Sequence, residues 1–338
     1  MSEQAESRES GGPEPVHPRP PTPHTRVRER KPLPNLLLRL VTAGLLIPPI
    51  VWVIFEGGLW VLGIVVIFTL IGLAEFYQLI EAKGAEPLRG FGMVAGAAVP
   101  VVTYFGGMGA ATMLMSVTLL GLMVAQLQKA RISESLASIS GTFFGIFYVG
   151  WLLSHAISLR EFYSAVQTRF GPTAVHGMDP NVGAFYLFFT IFVVIGGDAG
   201  AYFAGRAYGR RKLAPKISPS KTVEGALGAL LASLVLGLAC KAGFDAFRPT
   251  WSAGLSFVAC AVLAPLLSGV GIMGDLVESL LKRDAQVKDT GRLLPGTGGV
   301  LDRVDSNLLA IPVMYYLLIA ATYFSGPGSP VGTAAVIP

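Results

Sequence analysis

The chain has 338 residues, of which 52% are hydrophobic and only 14% are charged, and its mean hydropathy is +0.59. Soluble domains carry about 25% charged residues, so this composition excludes an ordinary soluble protein and predicts an integral membrane protein. The net charge of +5 would suit a nucleic acid partner in a soluble protein. In a membrane protein the charge is interpreted from its position along the chain, and no nucleic acid partner is expected.

Two tails flank the apolar part of the chain. Residues 1–35 are rich in Pro, Arg, Glu and Ser, which predicts a disordered tail because little apolar surface is available to offset chain entropy. Residues 325–338 are predicted to be a flexible C-terminal tail. The intervening residues 36–324 are predicted to form one transmembrane domain.

Nine apolar segments between the tails predict membrane-spanning helices, since a helix needs about 20 residues to cross a bilayer. The expected fold class is therefore all-α: a polytopic helical membrane protein with about nine transmembrane helices. The predicted spans are residues 36–55, 59–80, 91–105, 110–127, 142–159, 182–203, 223–244, 255–273 and 308–324.

The basic residues predict the orientation of these spans. If the N-terminus is cytoplasmic, 21 of the 26 Lys and Arg lie in cytoplasmic segments, and only Arg160, Arg169 and Arg248 lie outside. This asymmetry follows the positive-inside rule and predicts a cytoplasmic N-terminus. It also places two long polar segments, residues 196–225 and 274–306, in the cytoplasm.

The second polar segment is rich in acids near its two ends. Asp275 directly follows the eighth predicted span, and Asp302 and Asp305 directly precede the ninth. Both ends return to the same membrane face, so their carboxylates could surround a cation, and hard oxygen ligands without nearby His or Cys favour Mg²⁺. Ordinary ion pairs with the neighbouring Lys282, Arg283 and Arg303 are the alternative.

Asp275 and Asp302 are the main candidates for metal binding, Asp305 is a weaker one, and two further acids are weaker candidates as well. Asp289 lies in the same polar segment. Asp198 lies within the inner end of the sixth span, where an ionisable residue is costly and marks a functional-site hypothesis. An ion pair with a nearby Arg that fixes helix packing is the alternative for Asp198.

The stretch "ISPSKTVEG" predicts a helix start that could bind phosphate. Ser218 and Ser220 precede the seventh span, and Lys216 and Lys221 stand beside them. Free backbone N–H groups at a helix N-terminus, with adjacent hydroxyls and ammonium groups, favour a phosphate group. A capped helix with basic membrane anchors is the alternative.

The stretch "PGTGGVLDR" contains Gly298 and Gly299 in a predicted turn directly before the ninth span. Glycine lets the backbone approach a ligand closely, so the turn could line a polyphosphate. A plain interhelical turn is the alternative, because a glycine-rich loop alone is weak evidence.

Taken together, the two polar segments resemble the CTP transferase family of membrane proteins, and within it the phosphatidate cytidylyltransferases. The resemblance rests on "DAGAYFAGRAYGRRKLAPKISPSKTVEG" and on the ordered motifs S-x-x-K-R, K-D-x-G, L-P-G-x-G-G and L-D-R-x-D-S, with "AEFYQL" and "YVGWLL" as further matches. It extends over about residues 36–324, which would make the membrane domain a cytidylyltransferase domain.

The resemblance implies that CTP and phosphatidate give CDP-diacylglycerol and pyrophosphate in phospholipid biosynthesis, at the cytoplasmic face of a bacterial inner membrane. It implies Mg²⁺ at Asp275 and Asp302, with Lys221 and Arg303 also catalytic and a second cation left open. The substrate-binding residues implied are Ser218, Ser220, Lys216, Lys282, Arg283, Lys288, Gly298 and Gly299. A homodimer is left open as well.

One position departs from the family pattern, which usually has His where this chain has Thr297. Thr offers only a neutral hydroxyl, so the departure affects the expected acceptor and pH dependence. A CTP-dependent polyprenol or phytol kinase is the alternative enzyme. A transporter or scaffold is the non-enzyme alternative, but it predicts more charge inside the spans than Arg39, Glu75, Asp198 and Lys241 provide.

Overall fold

The computed structural model describes residues 35–128, 134–291 and 298–325, with the side chains of 35–43, 45, 46 and 325 excepted. Almost all of the two predicted tails therefore lies outside the described residues, as does Thr297. The described part of the chain is nearly all helical, which confirms the expected all-α membrane fold.

The helices follow one another with short connections. They are α1 (Asn35–Glu56), α2 (Gly58–Ala82), α3 (Arg89–Gln126), α4 (Ser135–Gly145), α5 (Leu152–Arg160), α6 (Phe162–Phe170), α7 (Val182–Tyr208), α8 (Val223–Phe247), α9 (Pro249–Ser252), α10 (Phe257–Asp284) and α11 (Leu301–Ser325). A π-helix, Ile146–Trp151, joins α4 to α5, and a 3₁₀ turn, Pro172–Val175, follows α6. The only strands among the described residues, β1 (Lys212–Ala214) and β2 (Ser218–Thr222), form an antiparallel hairpin between α7 and α8.

Seven helical segments of the described chain are long and apolar enough to cross a membrane. They are Gly58–Ala82, Arg89–Gln126, Ser135–Arg160, Val182–Tyr208, Val223–Phe247, Phe257–Asp284 and Leu301–Phe324. All nine predicted spans fall on helices, the first of them on α1. The chain is an integral membrane protein, while the count of nine crossings and the cytoplasmic N-terminus stay predictions.

The third and fourth predicted spans both lie in α3, which is broken at Gly107 (φ 71°, ψ −179°). The phenyl ring of Phe91 lies beside Gly121, so that a Cβ at Gly121 would stand 3.3 Å from its Cζ atom. A straight helix would separate these two residues by about 45 Å. The two halves of α3 therefore fold back on each other at Gly107.

Helix α7 is the centre of the bundle and packs against α5, α8, α10 and α11. Phe185, Tyr186 and Phe189 on its first half are fully buried. On its second half, Gly200 and its α8 neighbour Gly228 leave no room for a Cβ atom, because each faces the backbone or an alanine methyl of the other helix. Small residues thus bring α7 and α8 into backbone contact at the end that carries the polar segments.

The polar segments are more helical than hydropathy predicts. Helix α10 continues to Asp284, eleven residues beyond the predicted boundary at 273, and α11 begins at Leu301 instead of at 308. A helix requires continuous backbone hydrogen bonds, and it tolerates polar side chains where they have partners. Glu278 and Lys282, at positions i and i+4 of α10, are such a pair. The acids that bracket this segment therefore project from two helices.

The break in α3 gives a direct test. Gly107→Ala should lower the melting temperature of the purified protein, because the backbone region at φ 71° and ψ −179° is open almost only to glycine and costs another residue about 1–3 kcal/mol. Gly109→Ala is the matched control, since Gly109 is helical and a Cβ there meets open space. Equal melting temperatures for the two variants would contradict the broken helix.

Candidate functional site

The candidate site lies at one end of the bundle. It is formed by the C-terminal end of α7, the β1–β2 hairpin with the first turn of α8, the C-terminal half of α10, and the first turns of α11. An ion pair between Lys83, just after α2, and Asp284 shows that α2 ends at this same level. Both polar segments singled out in the sequence therefore meet in one place.

Three carboxylates form the centre of the site. Asp275 and Glu278 on α10 and Asp305 on α11 each place one oxygen within 4.8 Å of the others. Glu278 is fully buried, Asp305 is 9% exposed, and the Oε1 atom of Glu278 accepts no hydrogen bond from the described residues. Such a group of acids can carry all its charges only beside a cation; without one, a carboxyl group takes up a proton.

Lys282 connects the two helices that carry these acids. Its Nζ atom lies 2.8 Å from Oε2 of Glu278 on its own helix and 2.9 Å from Oδ1 of Asp302 on α11. The side chains of Glu278, Asp302 and Lys282 are all at most 13% exposed. One buried ammonium thus fixes the relative position of α10 and α11.

Asp302 is held from its other side by the backbone. Its Oδ2 atom accepts hydrogen bonds from the N–H groups of Gly299 (2.8 Å) and Thr290 (3.3 Å). Gly298 adopts φ 87°, and a Cβ at that position would lie 2.6 Å from the same oxygen. At the glycine turn, the backbone therefore lies close to the carboxylate of Asp302. Asp302 does not belong to the group of three acids.

Lys221, the residue before the cap of α8, reaches the acids from the hairpin. Its Nζ atom is 2.5 Å from Oδ2 of Asp275, yet the angle is too poor for a hydrogen bond, and the buried ammonium donates none to the described residues. Asp198 of α7 has Asp275, Asp305 and Lys221 as charged neighbours. Both residues predicted near the site are thus brought to its acids.

The hairpin is fixed by local contacts. Thr222 caps α8 by accepting a hydrogen bond from Gly225 N (3.1 Å), as expected for a helix start. Ser218 and Ser220 lie on β2, with their hydroxyl oxygens 3.4 Å apart. Arg283 on α10 donates from Nε to the carbonyl oxygen of Ile217 (3.3 Å), which ties the hairpin to the helix that carries the acids.

Four other predicted site residues are exposed on the segments that carry the site. Lys216 is exposed on the hairpin connection, Lys288 and Asp289 are exposed between α10 and α11, and Arg303 is exposed on α11. They surround the centre with mainly positive charge. Thr297 belongs to a segment outside the described residues.

Three residues of the site are absent from the sequence-based assignment. Glu278 could have been singled out by its i, i+4 spacing to Lys282. Glu224 accepts hydrogen bonds from the backbone N–H groups of Arg210 and Arg211 (3.0 to 3.2 Å), and an acid in the first turn of a helix was the available signal. Tyr148, whose buried hydroxyl has no described partner, has Glu278, Asp305 and Asp275 as charged neighbours.

A cavity of about 670 Å³ lies at the opposite end of the bundle and is lined mainly by aromatic side chains of α7, α8 and the end of α1. Phe188, Phe192, Phe244 and Trp251 are among them. It contains none of the residues predicted for the site. The chemistry-bearing groups thus lie at one end, and this apolar cavity lies at the other.

Comparison with known proteins gives one family. The model of the "Cytidylyltransferase family" matches residues 37–321. Two proteins named phosphatidate cytidylyltransferase are similar over most of their length: one from Brucella suis, 35% identical over 83% of this chain and 92% of the relative, and one from Synechocystis sp., 31% identical over 78% and 89%. A third of that name, from Haemophilus influenzae, is 42% identical over 41% of this chain. The matched part spans about half of its length (47%).

The bridging position of Lys282 predicts a large loss of stability in Lys282→Met. Removing the ammonium leaves Glu278 and Asp302 buried without their cation, which costs about 3–5 kcal/mol for a buried pair. Thermal unfolding of the purified protein measures this. Lys288→Met, which removes an exposed ammonium four residues beyond the end of α10, is the control and should unfold like the unaltered protein. An equal effect of both substitutions would contradict the bridge.

Proposed function

The chain belongs to the cytidylyltransferase family, and we propose that it is a membrane-embedded phosphatidate cytidylyltransferase, which converts CTP and phosphatidate to CDP-diacylglycerol and pyrophosphate. The observation that carries the proposal is the meeting of three carboxylates with the buried ammonium groups of Lys221 and Lys282 at the ends of α8, α10 and α11. Phosphate-rich substrates and a divalent cation need these two kinds of charge side by side.

The acids fit a hard divalent cation such as Mg²⁺. Asp275 and Asp305 would hold it from α10 and α11, with Glu278 between them, because the three ligand atoms already lie within 4.8 Å of one another. The unpartnered Oε1 atom of Glu278 supports this fit. We also assign Asp302 to this ion, since its carboxylate keeps free lone pairs beside its three donors. When bound, the ion would neutralise charge on the triphosphate.

The triphosphate would lie between the hairpin and the glycine turn. Lys221 is suited to this task because its ammonium lies at the edge of the group of acids, in an ion pair with Asp275. Ser218 and Ser220 present hydroxyl groups on the adjacent strand. Further cations would act from the rim: these are Lys216, Arg283, Lys288 and Arg303. Catalysis would then consist mainly of positioning and charge stabilisation.

The chemistry needs little acid or base catalysis. An ionised phosphate oxygen of phosphatidate attacks the α-phosphorus of CTP, a new P–O bond forms, and the bond to the pyrophosphate oxygen breaks. Since the nucleophile is already an anion, Thr297 in place of the family's usual His is compatible with this reaction. We place the site at the cytoplasmic face of the bacterial inner membrane, where dissolved CTP can meet a lipid headgroup.

The proposal predicts that the purified protein with CTP, Mg²⁺ and phosphatidate releases pyrophosphate and forms a CDP-lipid. Asp275→Asn and Asp305→Asn should each lower the rate about 100-fold or more, because each removes a charge that holds the cation next to the transferring phosphate. Product analysis by mass spectrometry, together with a pyrophosphate assay, measures both results.

The matched control is Asp179→Asn, which removes a carboxylate that Thr250 contacts at the opposite end of α7 and should leave the rate unchanged. CDP and a lipid phosphate as products would replace the proposal with a lipid kinase. Full activity of Asp275→Asn or Asp305→Asn in a protein that makes CDP-lipid would overturn the metal assignment alone.

A further inference from the structure

Glu75 is a buried acid from a distant part of the chain that reaches the candidate site. It lies on α2, is 4% exposed, and accepts hydrogen bonds from the backbone N–H groups of Val300 (3.0 Å) and Leu301 (2.8 Å). The hydroxyl of Thr290 donates to the same carboxylate (3.4 Å). These donors belong to the segment between α10 and α11 and to the start of α11.

The surroundings of Glu75 are shaped to its carboxylate. Gly291 and Gly299 lie so close that a Cβ at either position would fall 2.7–2.8 Å from its carboxyl carbon. In the described part of the chain, no Lys or Arg forms an ion pair with it. Among the described residues, its carboxylate faces backbone N–H groups at the start of α11, where the positive end of the helix dipole lies.

Glu75 and Asp302 are joined through the same short segment. Thr290 donates its backbone N–H to Asp302 and its hydroxyl to Glu75. Gly299 donates its N–H to Asp302, and the next two N–H groups bind Glu75. Displacing the Glu75 carboxylate would release the first turn of α11, in which Asp302 is the second residue.

We propose that Glu75 is a positioning residue: by capping α11 from α2, it fixes the glycine turn and the carboxylate of Asp302 for the transfer reaction. The inference rests on the proposed function for the role of Asp302. The capping itself can be tested without that function. A shift of about 1 Å in a group that positions reactants costs roughly 100-fold in rate, so the contact has kinetic consequences.

Glu75→Gln tests the cap because it keeps the shape of the side chain but offers one acceptor oxygen and an N–H₂ group that opposes a backbone donor. Hydrogen exchange measured by mass spectrometry should become at least 10-fold faster at the amides of residues 299–302. The rate constant kcat should fall about 10- to 100-fold, and the half-saturating Mg²⁺ concentration should rise. The KM for phosphatidate should stay unchanged. The raised half-saturating Mg²⁺ concentration separates this result from a general loss of folding, which would lower the apparent kcat alone.

The control for stability is Asp245→Asn, which removes an acceptor from Lys241 and Ser252 at the opposite end of α8. It should lower the melting temperature but leave kcat and the exchange at residues 299–302 unchanged. If Glu75→Gln does not fold, Gly291→Ala replaces it, because its Cβ enters the space of the Glu75 carboxylate.

Unchanged exchange at residues 299–302 in folded Glu75→Gln, or in Gly291→Ala, overturns the inference. So does faster exchange with unaltered kcat and Mg²⁺ dependence. If the unaltered protein forms no CDP-lipid, the proposed function fails separately, and the exchange comparison with Asp245→Asn still decides whether Glu75 caps α11.

Discussion

Two helix ends that carry acids can meet only where cations or N–H groups lie between them, and the ammonium of Lys282 fulfils this condition for α10 and α11. Taking charges out of water costs several kcal/mol per ion, and the attraction within the pair offsets this only when the remaining lone pairs are also satisfied. Asp302 meets that requirement through the N–H groups of Gly299 and Thr290. The position of α11 relative to α10 therefore depends on charge matching as much as on apolar packing.

The same end of the bundle depends on how closely α7 and α8 approach. The buried face of α8 begins with four small residues spaced four apart, and larger residues such as Leu231 face outward. The small residues are Gly225, Ala229, Ser233 and Gly237. Small side chains let the two backbones touch, as is common between helices in membranes. Because Lys221 precedes α8 directly, this close packing also determines where its ammonium meets Asp275.

Local patterns in the sequence predict much of this structure. Apolar segments predict helices, and the acids at 275, 302 and 305, together with the cap of α8, are apparent from their position next to the spans. The pairing of Lys282 with Asp302 and the contact of Glu75 with Val300 are not, because they join residues 20 and 225 positions apart. The sequence around Glu75 does not predict that the start of α11 will lie beside its carboxylate. Hydropathy also places the end of α10 too early and the start of α11 too late. It measures how well side chains suit lipid, whereas the helices continue as long as their backbone hydrogen bonds do.

The two acids of α11 show why spacing alone is insufficient. Asp302 and Asp305 are three residues apart, so on a helix their side chains point about 60° from each other. Asp302 faces Lys282 and the glycine turn, whereas Asp305 faces Asp275 and Glu278. The residues of α10 and of the glycine turn thus give different surroundings to two acids that look equivalent in the sequence. One is held by three donors in a fixed orientation, and the other completes a group of acids whose charge a cation can balance.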